Sequence, residues 1–351
     1  MSLPPTPLHL AVALDAPAPH HPSYDAAHHV ALARLAERGT LDFLTLGDTF
    51  AGPGPDALAV LARVAPATER IGLVPTVTTT HTEPFHVSTA VATLDWVSRG
   101  RAGWTVEVST TEAEAALTGR RPAAPSADVW REAGEVADVV ARLWDSWEDD
   151  AEIRDRATGR FIDRDKLHHV DFTGTSFTVR GPSIVPRPPQ GRAVTVVDAT
   201  GTDSGAEGAD GADEAVREVA AAHADVALVR AADPGTAAAA RAALHERARA
   251  HGRDPGRLIV LASLPVELDS SADAAGLADL IGDWHAEGAA DGFHLRPADP
   301  ARDLARLVDG TVPLLRDRGL LRHTYTGTTL RDHLGLPRPA SRYALAREAS
   351  R

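Results

Sequence analysis

The chain has 351 residues, of which 43% are hydrophobic, and 49 acidic against 36 basic side chains give a net charge of −13. It contains no cysteine, which excludes disulfides, thiolate catalysis and cysteine-ligated metals. The negative charge argues against nucleic acid as the main partner, because neutralising phosphates needs a clustered basic face. No run approaches the ~20 apolar residues of a membrane helix, and the first residues lack a secretory pattern. We therefore expect no membrane contact and a cytoplasmic location.

Eight apolar runs alternate along the chain with segments of helical spacing. The runs cover 8–14, 41–46, 71–76, 102–108, 193–197, 225–229, 258–264 and 292–295. Continuous apolar strands are typical of a parallel sheet that is covered on both faces. Eight such β–α units predict an α/β fold of the closed (β/α)₈ type, a TIM barrel. A doubly wound open sheet is the alternative.

Three segments depart from this alternation. Residues 149–191 are rich in charge, Gly and Pro and contain β-like runs at 170–172 and 176–179, which predict a hairpin insertion before strand five. Residues 200–213 are rich in Gly, Asp and Ala and predict a loop. Residues 321–351 form a C-terminal tail that we expect to wrap the barrel or a partner subunit. The whole chain, 1–351, is assigned to one barrel domain.

A cluster of hydroxyl side chains follows the third predicted strand. Its members are Thr76, Thr78, Thr79 and Thr80, with His81 next to them. In parallel α/β proteins, ligands bind beyond the carboxyl ends of the strands. The cluster therefore predicts the lining of a site for a polar, planar ligand, and a solvated loop with a capping hydroxyl is the alternative. His81 is a candidate catalytic residue, with a purely structural role as its alternative.

Several longer strings match one known family. They are LAERG at 35–39, ATERIGL at 67–73, EPFH at 83–86, GRAGW at 100–104 and LWDSWEDDA at 143–151. With these strings the chain resembles the bacterial-luciferase-like flavin-dependent monooxygenases, in their nitrilotriacetate and dibenzothiophene-sulfone monooxygenase branch. The resemblance extends over nearly the whole chain, and it implies the same luciferase-like barrel that the strand count predicts.

The resemblance also implies an activity. Members of this family use reduced FMN, supplied by a separate NAD(P)H-dependent flavin reductase, and O₂ to oxygenate a small organic substrate. The cofactor supplies the chemistry, while the protein orients it and excludes water. A homodimer is a further expectation carried over from the family.

Candidate flavin contacts follow residue by residue from the resemblance. Asp48 after strand two and the pair Thr78 and Thr79 after strand three match family positions near the flavin ring. The asparagine of the family's GWN string is Thr105 here, which keeps a hydroxyl but loses the amide. Trp130 stands where the family has a His-x-x-Arg-Tyr string; it can stack on a ring but cannot accept a hydrogen bond.

The phosphate site is the weakest match. In the family, a Gly-Ser-Ser turn after strand five holds the FMN phosphate at a helix start. Here the corresponding residues are Thr200, Gly201 and Thr202. Asp198 and Asp203 add negative charge at this point, and at ~4 Å with an effective dielectric constant of about 20 each carboxylate opposes the phosphate by about 4 kcal/mol.

Three functions therefore stay open on the sequence alone. They are a two-component FMN monooxygenase, a deazaflavin-dependent oxidoreductase that transfers hydride, and a non-catalytic barrel homologue that has lost flavin binding.

No metal is expected, because strand one does not end in the His-x-His pattern of metal-dependent barrel hydrolases. We also expect Trp144 and Trp147 to pack in a core or dimer contact, and Glu148 to Asp150 to form a solvated helix end.

Overall fold

The computed structural model describes residues 8–15, 23–50, 52–200 and 209–349. Within them, eight parallel strands close into a barrel in the order of the chain, with the last strand paired to the first. The strands are β1 (His9–Ala13), β2 (Phe43–Leu46), β3 (Gly72–Thr78), β4 (Gly103–Glu107), β5 (Val194–Asp198), β6 (Val226–Val229), β7 (Ile259–Val266) and β8 (Gly292–Pro297). The predicted (β/α)₈ barrel is confirmed, and the open sheet is excluded.

Helices cover the outside of the barrel, and most begin at a polar capping residue. Asp25, Asp56, Asp233 and Asp299 each accept a hydrogen bond from a backbone N–H in the first turn of the helix they precede. The helices are α1 (Ala26–Arg38), α2 (Ala57–Val64), α3 (Pro84–Val97), α4 (Glu112–Thr118), α5 (Ser126–Asp145), α6 (Ala209–His223), α7 (Pro234–Ala250), α8 (Ser271–Ala286), α9 (Pro300–Arg306), α10 (Val312–Asp317), α11 (Leu330–His333) and α12 (Arg342–Ala349). In the described ranges, no helix is both long enough and apolar enough to cross a membrane.

The insertion before β5 contains two antiparallel ribbons. Phe172–Thr173 pairs with Thr178–Val179, which confirms the predicted hairpin. A second ribbon, Glu152–Asp155 with Arg160–Ile162, was missed because its strands are too short, and too rich in charged residues, to form an apolar run. The predicted loop 200–213 is too long, since α6 already begins at Ala209; residues 201–208 lie outside the described residues.

The C-terminal tail closes the barrel at the amino ends of the strands. Leu330, Leu334 and Leu336 are buried in the same inner core as Phe43 and Val74. The approach is so close that a Cβ on Gly72 would lie 2.6 Å from Leu330 Cδ1. The lower end of the barrel is therefore filled by apolar side chains.

The two most specific family strings have structural roles. The guanidinium of Arg101 in GRAGW is buried and donates five hydrogen bonds, to Ser98, Thr68, Ile71 and Ala65. In LWDSWEDDA, the indole N–H groups of Trp144 and Trp147 donate to the carbonyls of Ser88 and Ser183. Both strings therefore join loops and helices at positions away from the carboxyl ends of the strands.

The prediction of a solvated segment from Glu148 to Asp150 was wrong for Glu148, whereas Asp149 and Asp150 are exposed as expected. Glu148 is 4% exposed and pairs with His168 and Arg347. Asp149 accepts hydrogen bonds from Arg187 and Arg338. Both carboxylates therefore hold the insertion and the tail together.

Candidate functional site

The barrel interior changes from apolar to charged along the direction of the strands. Val74 and Val196 belong to the inner core, and side chains two residues apart on a strand point to the same side. The apolar lower level includes Ala11, Phe43, Val74, Val194 and Val226. The polar side chains of the next level are Thr45, Thr76, Thr105, Ser263 and His294. Above them, at the mouth, stand Thr78, Glu107, Asp198, Arg230 and Arg296.

His294 forms a neutral floor for this mouth. Its Nε2 lies 2.9 Å from Thr45 Oγ1, and its Nδ1 lies 3.1 Å from Ser263 Oγ. Burial, with the nearby guanidiniums of Arg296 and Arg230, lowers the pKa of His294 to about 3. The ring is therefore uncharged at neutral pH, so one of its nitrogens donates a hydrogen bond and the other accepts one.

Thr105 carries a hydroxyl that is buried without a hydrogen-bond partner among the described residues. It lies on β4, in register with Thr76 on β3 and Val196 on β5. An unpaired buried hydroxyl costs about 1–3 kcal/mol. This is the position at which the sequence departs from the family's asparagine, and its unpaired hydroxyl lies on the inner face of β4, below the mouth.

Glu107 lies one level above Thr105 on the same face of β4. It is the register partner of Thr78, and its Oε1 accepts a 2.9 Å hydrogen bond from the N–H of Val108. Burial raises the pKa of Glu107 to about 7, and the carboxylates of Asp198 and Glu114 act in the same direction. Sequence reasoning missed this residue, although the alternation after Trp104 and Val106 places it on the inner face.

Arg230 changes the electrostatics of the predicted phosphate turn. Its guanidinium lies 3.6 Å from the carboxylate of Asp198, and its backbone N–H donates to Thr200 Oγ1 at 3.1 Å. Asp198 was predicted to repel a phosphate. Because Arg230 is close to Asp198, its positive charge offsets the negative charge that this prediction counted alone. Gly201 and Thr202, the other two predicted phosphate contacts, lie outside the described residues.

Arg296 adds a second basic group on the opposite side of the mouth from Glu107. It lies next to the last residue of β8, while Glu107 ends β4, and three strands lie between β8 and β4 in either direction around the barrel. Burial lowers the pKa of Arg296, as does the nearby Arg230, while Asp198 and Asp15 oppose the shift. The mouth is therefore basic on one side and acidic on the other.

Asp48 and Thr78 lie close together, as the sequence predicts. With Thr76 they line a cavity of about 200 Å³ at the carboxyl ends of β2 and β3. Asp48 also accepts a 2.9 Å hydrogen bond from the N–H of Ala57 at the start of α2. Burial and the neighbouring Asp56 raise the pKa of Asp48.

The other predicted site residues have different surroundings. The Thr79 hydroxyl donates to the carbonyl of Glu107 at 2.9 Å and so joins the loops after β3 and β4. His81 has a left-handed backbone (φ 65°) and a buried Nδ1 that has no hydrogen-bond partner in the part of the chain that the structure describes. Burial together with Arg121 lowers the pKa of His81. Trp130, a residue of α5, is 8% exposed, and its side chain packs in the core between the barrel and the helices. Flavin contact by Thr79 and Trp130, and a catalytic role for His81, stay predictions.

A larger cavity lies at the other end of the barrel. It measures about 540 Å³ and is lined by Leu8 and His9 at the start of β1 and by tail residues such as His333. Functional groups of parallel barrels gather at the carboxyl ends of the strands, so the mouth is the candidate active site. Across the described ranges, no three His, Asp or Glu side chains are arranged to hold a metal ion.

Comparison with known proteins gives matches over most of the chain. Residues 8–317 match the family model described as luciferase-like monooxygenase. The chain is 30% identical to N-acetyl-S-(2-succino)cysteine monooxygenase from Bacillus subtilis (strain 168), over 93% of each chain. It is also 30% identical to nitrilotriacetate monooxygenase component A from Aminobacter aminovorans, over 92% of this chain and 93% of that one.

A solved structure shows the same fold. Long-chain alkane monooxygenase (LadA) superimposes with a TM-score of 0.82 at 20% identity, over 94% of this chain and 95% of that one. The resemblance inferred from the strings at 67–73, 100–104 and 143–151 is therefore confirmed.

Proposed function

The chain belongs to the luciferase-like monooxygenase family, and on this premise we propose that it is a flavin-dependent monooxygenase of a two-component system. In this proposal a separate NAD(P)H-dependent reductase supplies reduced FMN, and the chain uses O₂ to oxygenate a small organic substrate. One relative is named as a component A, which supports a system of more than one protein.

The residues of the mouth fit a flavin. The polar edge of an isoalloxazine presents hydrogen-bond donors and acceptors, and the hydroxyls of Thr76, Thr78 and Thr105 can serve as either. The unpartnered Thr105 hydroxyl is the observation that carries the proposal, because a ligand with polar ring atoms would satisfy it. Arg230, next to Thr200, supplies a positive charge for a phosphate group.

Bound FMN would supply the chemistry with O₂, and the side chains of the mouth have simpler tasks. Thr105 and Thr78 orient the ring edge, while Thr200 and Arg230 hold the phosphate end. The neutral His294 and its two hydroxyl partners give the ring a floor without a competing charge. Leu330 and its neighbours fill the lower barrel with apolar side chains, which separate the site from the other end of the barrel.

Flavin titration tests the proposal. We expect FMN fluorescence to be quenched by the protein, and Thr105→Val to weaken binding about fivefold, the equivalent of one lost hydrogen bond of about 1 kcal/mol. Thr93→Val, an exposed position on α3, is the matched control and should leave the affinity unchanged. A preference for deazaflavin over FMN would favour the hydride-transferring oxidoreductase, and no binding of either would favour a non-catalytic barrel.

Activity is tested with the reductase present. With NADH, FMN, a flavin reductase and a panel of small organic molecules, isotope-labelled O₂ should place one labelled oxygen atom in the product. If the protein binds FMN but no label enters any product, the monooxygenase proposal fails while flavin binding stands.

A further inference from the structure

Glu107 is an acidic side chain of the mouth with no cationic partner among the described residues. Asp198 pairs with Arg230, and Asp48 accepts a hydrogen bond from the N–H of Ala57, but the side chain of Glu107 has only the N–H of its neighbour Val108. We propose that Glu107 is a flavin-binding residue that acts in its protonated form, so that the chain takes up a proton when it binds flavin. This inference rests on the proposed function.

Glu107 is placed to contact the same ligand as Thr105. Both side chains are on the inner face of β4, and Thr105 lies one level deeper with its hydroxyl unpaired. Thr78 flanks Glu107 on β3. A planar ring that reaches the Thr105 hydroxyl from the mouth must therefore pass beside the Glu107 carboxyl.

The charged groups around Glu107 favour its protonation. Asp198 on β5 and Glu114 on α4 are the charged groups that act on it directly, and both are acidic. Thr78 on β3 carries no charge, and Arg230, the residue after β6, pairs with Asp198. A ring entering the mouth displaces water, and a carboxylate that loses water without gaining a cation becomes still easier to protonate.

Protonation also gives Glu107 the hydrogen bond that a flavin edge can use. An ionised carboxylate only accepts hydrogen bonds, whereas a protonated one has an O–H donor. The ring carbonyls of a flavin are acceptors, and the phosphate of FMN makes the ligand an anion. The neutral, donating form of Glu107 therefore binds this ligand better than the carboxylate does.

The size of the effect follows from linkage. Because the free protein holds the pKa of Glu107 at about 7, the protonated fraction falls roughly tenfold between pH 6 and pH 8. If only this form binds well, the dissociation constant for flavin rises about tenfold over the same range.

The test compares wild type with Glu107→Gln, which resembles the protonated side chain and cannot titrate. The dissociation constant for FMN is measured by fluorescence quenching at pH 6, 7 and 8, with Glu112→Gln, an exposed carboxyl on α4, as control. Dividing the wild-type value by the Glu107→Gln value removes the titration of the FMN phosphate, whose second pKa is about 6. We expect this ratio to rise about tenfold from pH 6 to pH 8, and Glu112→Gln to behave as wild type.

Calorimetry gives a readout that is independent of affinity. At pH 7.5, binding measured in buffers of different ionisation enthalpy should show proton uptake by wild type that is absent from Glu107→Gln. A ratio that stays flat, or one that falls because the carboxylate accepts from a ring N–H, overturns this inference and leaves the proposed function intact. A complete lack of flavin binding at every pH overturns both.

Discussion

Thr45 and His294 are hydrogen-bonded at 2.9 Å across the inside of the barrel, although strand β1 lies between β2 and β8. The contact is possible because β1 presents alanines beside them, with Ala13 in register with Thr45 and Ala11 in register with His294. The two longer side chains therefore meet in front of a strand that carries only methyl groups at this level.

Replacing His294 should destabilise the barrel. His294→Phe fills a similar volume but leaves the buried hydroxyls of Thr45 and Ser263 without their partner, so we expect a loss of about 2–4 kcal/mol in the free energy of unfolding. His294→Gln, which keeps a donor and an acceptor, should lose less. Urea denaturation of the three proteins measures both effects, and equal stability of wild type and His294→Phe would contradict the role of the network.

Asp95 should make stability depend on pH. It is fully buried, accepts hydrogen bonds from the side-chain amide of Gln190 at 2.6 Å and from the N–H of Ala102 at 3.1 Å, and burial raises its pKa to about 6. The unfolded chain releases this proton near the ordinary pKa of about 4, whereas the folded chain holds it until about pH 6. This group therefore stabilises the fold less as pH rises from 4 to 6.

The variant Asp95→Asn isolates the contribution of Asp95 to the pH dependence of stability. The free energy of unfolding of the variant minus that of wild type should increase as pH rises from 4 to 7, by up to about 3 kcal/mol. The two proteins are compared as a difference because other groups also titrate in acid. His294, whose pKa is lowered in the fold, makes stability rise with pH, which is opposite to the effect of Asp95. A difference that is constant or that falls with pH would show that Asp95 is ionised throughout.

Leu330 should be important for stability but not for the mouth. It is fully buried where the tail enters the lower barrel, so Leu330→Ala should cost about 2–5 kcal/mol in the free energy of unfolding. Leu345→Ala, also in the tail but 53% exposed, is the matched control and should change stability little. Flavin affinity of the folded Leu330→Ala protein should equal that of wild type; a large loss would show that the tail shapes the mouth.

Asp145 should be among the most sensitive positions outside the mouth. It is fully buried and accepts hydrogen bonds from Arg187, Arg192 and Arg342. Asp145→Ala leaves these guanidiniums without their shared partner, and breaking a buried ion pair costs about 3–5 kcal/mol. Asp128→Ala, which removes an exposed pair with Arg131, should cost only about 0–1 kcal/mol. Thermal unfolding that ranks the two variants in the other order would contradict this assignment.

Strand positions could be predicted closely because burial on both faces leaves a direct trace in the sequence. The run at 292–295, for example, predicts β8, and the structure extends that strand to Pro297. The ribbon that begins at Glu152 left no such trace, because backbone pairing rather than burial holds it. The hydroxyl cluster after β3 was located correctly, but the individual tasks of Thr78 and Thr79 could not be separated.

The sequence by itself determined the eight strands and the family, and it predicted the end of the barrel at which a ligand would bind, since these depend on apolar runs and contiguous strings. Only the tertiary structure decided that Glu107, Arg230, Arg296 and His294 share one mouth, and that the specific strings around Arg101 and Asp145 are structural. The reason is geometric. Each strand contributes one or two side chains to the mouth. Residues far apart in the chain become neighbours, and shift one another's pKa values, only when the sheet closes on itself.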